Sequence, residues 1–175
     1  MFPPVLIASA VLLVPLAVII TYYDVRYRRI PNKVVLATLI SGLILNTIFD
    51  GLSGLLASLA GCALAFALMI LLHVFGAMGA GDVKLFAAIG SVVGLHMVLP
   101  TFVVIVMTGC VFAVITMLRA GTVRVTMNRV LQILIGLLPG YQLQRYDVPV
   151  DRRFTIPYGV AITLGSLVSL AFFRT

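Results

Sequence analysis

Long apolar runs broken by short polar stretches set the pattern of this chain. Five runs approach the roughly 20 residues that a helix needs to cross a hydrocarbon layer: Pro4 to Tyr23, Val34 to Phe49, Leu52 to Phe75, Val83 to Leu99 and Thr101 to Leu118. A further run, Phe154 to Phe173, closes the chain. Between the last two runs lies a basic region, Arg119 to Arg153, holding the shorter apolar patch "VLQILIGLLPG". The pattern predicts an all-α, polytopic membrane helix bundle of about six transmembrane helices. The patch reads as a short interfacial or partly re-entrant helix with Arg124 and Arg129 on its wetter side. No low-complexity tract or long repeat divides the chain, so residues 1–175 are read as one membrane-embedded domain.

Composition agrees with that reading and excludes the soluble alternative. Hydrophobic residues make up 62% of the 175, charged residues only 10%, and the mean hydropathy is +1.22. One soluble core could not hide that much apolar surface, whereas lipid accepts it.

The basic residues then orient the bundle. They cluster after the first run (Arg26, Arg28, Arg29, Lys33), after the third (Lys84) and after the fifth (Arg119, Arg124, Arg129, Arg145, Arg152, Arg153). These are alternate loops, and the Lys/Arg excess marks loops that stay in the cytoplasm. Both termini are therefore expected on the outer side. The first run has its positive charges behind it, the reverse of a cleavable signal, and is expected to stay as a helix. The net charge of +7 has an explanation in anionic headgroups facing the cytoplasmic loops. Nucleic-acid binding is not indicated, because the basic residues are split among short juxtamembrane loops.

Metal chemistry finds no constellation. Cys62 and Cys110 each fall inside an apolar run, without CxxC spacing. His73 and His96 fall near opposite faces of the bilayer in this topology and read as interfacial or hydrogen-bonded histidines. No metal or cofactor is expected.

The acids are more informative: five aspartates and no glutamate. Asp50, in "FDGLSG", is turn chemistry, and Asp147 and Asp151, in "YDVPVDRR", read as loop charges. Asp24 and Asp82 instead lie where a long apolar run meets the cytoplasmic face, one ending the first run and the other opening the fourth. Ionisable groups at membrane depth are costly and are functional candidates. Two carboxyls a few ångströms apart share a proton, so one can activate water while the other donates to a carbonyl oxygen. That is aspartic protease machinery, which needs no metal, nucleophilic side chain or cofactor. Each residue also has an ordinary reading. Asp82 could simply be a helix N-cap, and Asp24 could pair with Arg26, Arg28 or Lys84. An N-cap, however, does not require Gly76, Gly79 and Gly81 before it. Glycines allow positive φ and close backbone approach, as a site admitting an extended peptide would need.

"GAGDVK", ending a Gly-x-Gly-Asp at Asp82, resembles the signature of the GxGD intramembrane aspartic proteases, and "VKLFAAIG" resembles the type IV prepilin peptidase branch. "YDVRYRRIPN" supplies the upstream aspartate, Asp24, followed by a basic stretch and Ile30-Pro31-Asn32. "IPYGVAI" places Pro157, Tyr158 and Gly159 where the family's Pro-aromatic-Gly opens the last helix. Ile-Pro-Asn and Pro-Tyr-Gly also serve as helix-boundary punctuation.

The resemblance implies a membrane aspartic endopeptidase that removes the leader from prepilin and pseudopilin precursors at the cytoplasmic face of the bacterial inner membrane. It implies Asp24 and Asp82 as the catalytic pair, without saying which is base and which acid. Gly79 and Gly81 would shape the loop bearing Asp82, and Lys84 would bias the pair or steer a carboxylate, or be a positive-inside charge. Longer family members carry a cytoplasmic insertion with paired cysteines and also N-methylate the pilin. With no such insertion or CxxC, this chain resembles the peptidase-only form of Flp-type (tight-adherence) pili, and methyltransferase activity is not expected. An archaeal preflagellin peptidase is a related form.

Two rivals belong to other classes. A proton-coupled transporter component would want acids toward the midplane and repeated halves, and neither is visible. A non-catalytic pilus-assembly subunit would bind precursor without trimming it. Small residues at four-residue spacing, Gly90 and Gly94 in the fourth run and Ala57, Gly61 and Ala65 in the third, would let those two helices approach closely. They assign no oligomeric state.

Overall fold

The computed structural model describes residues 4–74, 78–121, 123 and 158–172. Its elements are α1 (Pro4–Tyr27), α2 (Asn32–Val74), α3 (Ala80–Val93), α4 (Leu95–Ala120) and α5 (Tyr158–Phe172). The chain divides into two compact units, one of Met1–Gly109 with Pro157–Thr175 and one of Cys110–Ile156. The site and the packing described below belong to the first. The expected interfacial helix around residues 130–140 lies outside the described residues, as do Gly76 and Pro157.

Helix is what lipid permits here, because each backbone N–H and C=O must find its partner within the segment. Three helices are long and apolar enough to cross a membrane: Ile7–Tyr27, Asn32–Val74 and Leu95–Arg119. At 43 residues α2 is twice the required length, and it is folded at Gly51 (φ 61, ψ −137). That left-handed conformation, open to glycine without steric cost, makes "FDGLSG" the hairpin tip the sequence suggested. The two arms, 32–50 and 52–74, correspond to the second and third runs. They close tightly, since a Cβ on Gly54 would run into the carbonyl oxygen of Asn46.

The fourth run is organised differently from its reading. Its helix, α3, stops at Val93 because Gly94 turns left-handed (φ 74) and donates its N–H to Gly90 O at 3.0 Å. The break falls at Gly94 and not at Pro100, which lies inside α4. Fourteen residues give α3 a length of about 21 Å, short of the roughly 30 Å hydrocarbon layer.

Packing inverts the soluble rule. Large apolar side chains such as Val11, Val18, Ile48, Leu52, Leu71 and Met107 point outward, while Ser58, Ser91, Thr101, Ser166 and Ser169 are fully buried. Lipid is as apolar as leucine, so helices associate through close backbone approach and polar contacts rather than through expulsion of water. The small residues picked out in the sequence carry that approach: a Cβ on Gly61 would strike the carbonyl oxygen of Gly90, and one on Gly90 would lie 2.7 Å from Ala65 Cβ. Beside this contact Asn46 donates Nδ2–H to the carbonyls of Ser91 (2.8 Å), Val92 (3.2 Å) and Gly42 (3.1 Å), and Ser58 donates to Ser91 O. Helix α3 is thus held between both arms of α2, with Phe86, Leu85 and Ile89 in the apolar core. Helix α5 packs mainly on α1 and reaches α3, and Thr101 and Ser169 share a buried hydrogen bond of 2.9 Å between α4 and α5.

Candidate active site

Three chain segments meet where α1 ends and α3 and α5 begin. Asp24 lies in the last turn of α1, which continues past Tyr23 to Tyr27. Tyr22, Tyr23 and Tyr27 surround this turn on its outer side, in edge and tilted contacts 5.7–6.2 Å between ring centroids. Aromatic rings with a polar tip gather at membrane–water boundaries, so this end of α1 has the character of an interface. Asp24 itself is buried, at 9% exposure.

Helix α1 closes through Arg28, whose N–H donates to Asp24 O at 3.0 Å. Its φ of 51° is left-handed, a conformation that costs a non-glycine residue about 1–2 kcal/mol. The turn keeps Arg28 close enough for its charge to act on Asp24.

Asp82 sits in the first turn of α3. Gly79 is the N-cap residue, so the ordinary reading of Asp82 as N-cap is shifted by three positions. From N3 its Oδ2 accepts the Gly79 N–H at 3.1 Å, the return half of a capping box. Burial pushes the Asp82 carboxyl up to about 6, the Gly79 N–H opposes that, and the charge of Asp24 adds to it. The two aspartates therefore feel each other. A folded state that takes up the Asp82 proton near pH 6, where the unfolded chain does so near 4, loses stability as pH rises through that window. Asp82→Asn keeps an oxygen for Gly79 and removes the buried charge. Its melting temperature in detergent should exceed that of the wild type at about pH 7.5, with the gain vanishing below about pH 4.

The last helix reaches the same place. Gly159 N–H donates to Asp24 Oδ2 at 2.8 Å across 135 positions of sequence, and the Val160 N–H is a second backbone donor to the same carboxyl. A Cβ on Gly159 would fall 2.8 Å from Asp24 Oδ2 and 3.0 Å from Ile20 Cγ2. Here glycine is required by proximity, and Thr163 ties the same turn by donating to Gly159 O at 2.9 Å.

The other residues singled out in the sequence are placed as follows. Ile30 packs over the Gly-x-Gly-Asp turn, its side chain 3.6 Å from where a Gly81 Cβ would stand. Pro31 starts α2 by accepting from Val34 N (3.0 Å) and Val35 N (3.2 Å). Asn32 is the first residue of α2. Tyr158 opens α5. Lys84 is on α3 itself and lines an apolar groove of about 370 Å³ with Asn32, Leu39, Cys62 and Phe66 on its walls. Gly79 and Gly81 do not supply positive φ: Gly79 is extended at φ −77, and Gly81 has space for a methyl group. A Cβ on Gly79 would stand 3.3 Å from Asp82 Oδ2, so its glycine keeps that carboxyl uncrowded.

His73 donates Nδ1–H to Met78 O at 2.8 Å, bridging the segment between α2 and α3, whereas His96 is in the first turn of α4 beyond the other end of α3. Among the described residues no group of three His, Cys, Asp or Glu side chains could hold a metal ion. The sequence reading overlooked Asn46, although an amide in an apolar run is a signal of its own.

Residues 11–118 match the model of the type IV leader peptidase family. The chain is also 30% identical over 106 residues to the prepilin leader peptidase/N-methyltransferase of Bacillus subtilis (strain 168), an alignment covering 59% of this chain and 42% of that relative. No solved structure matches the chain. The matched stretch contains Asp24, Asp82, most of α1 and all of α3, and on that match the chain belongs to the type IV leader peptidase family.

Proposed function

We propose that this protein is a membrane aspartic endopeptidase that removes leader peptides from type IV prepilins of the Flp-like kind. Asp24 and Asp82 would form its catalytic pair at the cytoplasmic face of the bacterial inner membrane. The observation that carries the reading is the meeting of α1, α3 and α5 around two aspartates, Asp24 in the last turn of α1 accepting from Gly159 N–H of α5 and Asp82 in the first turn of α3, in a chain of the leader peptidase family. Coupled carboxyls that hold one proton between them supply both a base for water and an acid for the amide. Support for the peptidase-only form comes from the cysteines, since Cys62 and Cys110 are free and no CxxC occurs in these residues. The basic residues Arg26, Arg28, Arg29 and Lys33 beside Asp24 support the cytoplasmic orientation.

Co-expression with a candidate Flp-type prepilin tests the proposal, with leader removal read as a gel shift. Conversion of precursor to the shorter form is the expected result. Precursor that co-purifies with the protein and stays uncut would favour a non-catalytic assembly subunit instead.

A further inference from the structure

The surroundings of the two aspartates differ, and the difference bears on which one handles which proton. Asp24 is buried at the N-terminus of α5, where its Oδ2 accepts from Gly159 N–H at 2.8 Å, Val160 N–H is a second donor, and the Arg28 cation is close enough to act on it. Among the described residues Asp82 has one backbone donor, Gly79 N–H at 3.1 Å, and no cation among the groups that act on it, its charged neighbour being Asp24. Burial disfavours charge on both carboxyls, so the comparison rests on what each one is offered in return. Hydrogen bonds and positive charge aimed at a carboxylate favour its ionised form, and free amides at a helix start do so together with the helix dipole. Asp82 also lies in a helix first turn, but its amide donor is single and its charged neighbour is repulsive.

We propose that the first amides of α5, those of Gly159 and Val160, hold Asp24 as the ionised member of the pair, so that Asp24 takes the proton of water and Asp82 is the proton donor. This rests on the peptidase reading above. The water oxygen bonds to the scissile carbonyl carbon as one water proton passes to Asp24, and the Asp82 proton passes to the carbonyl oxygen, giving a neutral gem-diol. Asp24 then returns its proton to the amide nitrogen as the C–N bond breaks, and a gem-diol hydroxyl proton restores Asp82. Both carboxyls end as they began. Gly159 is a positioning residue in this scheme, because it acts through Asp24 and leaves no room for a side chain.

The titratable groups of the neighbouring elements are few. Arg28 follows α1, Asp82 lies on α3 with Lys84 turned to the groove, Lys33 and His73 lie near the ends of α2, and α5 contributes only Tyr158.

Two measurements on the full chain test the assignment. Infrared difference spectra at about pH 5, between the ordinary aspartate range and the Asp82 value, read the protonated carboxyl directly and need no substrate. The carboxylic acid C=O band should be present in wild type and in Asp24→Asn and absent from Asp82→Asn. Loss of that band in Asp24→Asn, with retention in Asp82→Asn, would overturn the proposal. If the band follows Asp82 but no precursor is cut, the assignment stands and the peptidase reading fails.

The second measurement is the pH profile of kcat/KM for prepilin cleavage, which reports the free enzyme. A limb with midpoint about 6, the value to which Asp82 is pushed, should lie on the alkaline side, where loss of the Asp82 proton ends activity. The same midpoint on the acidic side would make Asp82 the base and overturn the assignment. Gly159→Ala should lower kcat at least about tenfold with KM within twofold and move the acidic limb toward neutral pH. Gly165→Ala crowds Ile105, away from the pair, and should leave the shape of the profile unchanged. A Gly159→Ala profile of unchanged shape would refute the role given to the α5 amides. If that variant does not fold, the wild-type profile and the infrared band still decide the proposal.

Discussion

Asparagine in place of either Asp24 or Asp82 is expected to lower leader removal by about 10²- to 10⁴-fold, the usual worth of a positioned acid or base. Where the two act as one unit, the double variant should be little worse than either single one. The substitution is chosen to isolate the proton. An asparagine at position 24 keeps a side-chain oxygen that can accept from Gly159 N–H, and one at position 82 can accept from Gly79 N–H, so the helix starts built on those bonds persist. Alanine at position 24 would instead strand two buried amides, each costing about 1–3 kcal/mol, and would confuse loss of chemistry with loss of structure. The assay is the precursor-to-mature ratio after co-expression, with membrane insertion and precursor capture measured in parallel. Full cleavage by both asparagine variants would sink the paired-aspartate mechanism.

The second large effect concerns the support of Asp82 rather than its chemistry. Gly61→Leu should destabilise the bundle by about 3 kcal/mol or more, at the upper end of what overpacking costs. It should remove leader cleavage with it. A Cβ at position 61 meets the Gly90 carbonyl, the Gly94 carbonyl carbon at 2.9 Å and the Leu95 nitrogen at 3.0 Å. All three are backbone, so no side chain can swing aside, and α3 must move away from the second arm of α2. A shift near 1 Å in a catalytic group costs on the order of 10²-fold in rate, and α3 carries Asp82. Gly109→Leu is the matched control, because nothing lies within 4 Å of a Cβ there. Thermal unfolding in detergent should show a large drop for the first variant and little change for the second. Equal melting temperatures would mean that the glycine contact does not hold α3.

Much of the candidate site was legible because the chemistry proposed for it rests on rare residues against an apolar background. Asp24 and Asp82 stand out in a chain with five acids, and their places at the ends of apolar runs suggested a common face before any fold was known. The glycines of the Gly-x-Gly-Asp turn suggest positive φ in the sequence, but φ is a property of local backbone that depends on how the next helix starts. Gly79 proved extended because the capping geometry of Asp82 sets the turn. Lys84 illustrates the same limit: two residues along a helix is about 200° of rotation, so its nearness to Asp82 in sequence turned it toward the groove. Gly94 and Pro100 show it for boundaries, since an early proline inside α4 was tolerated while a glycine without obvious signature ended α3.

By itself the sequence determined that this protein is a helical membrane bundle and where its ionisable groups fall along each helix. The reason is solvent: lipid forces backbone hydrogen bonds to close within each apolar segment, so composition and run length suffice. Only the tertiary structure decided what each aspartate touches. The amide of Gly159 comes to Asp24 from 135 residues away, and Asn46 grips Ser91 and Val92 across a hairpin that turns on one glycine. Burial, hydrogen-bond donors and neighbouring charge are set by segments distant in sequence, and these are the quantities that tell two chemically identical carboxyls apart.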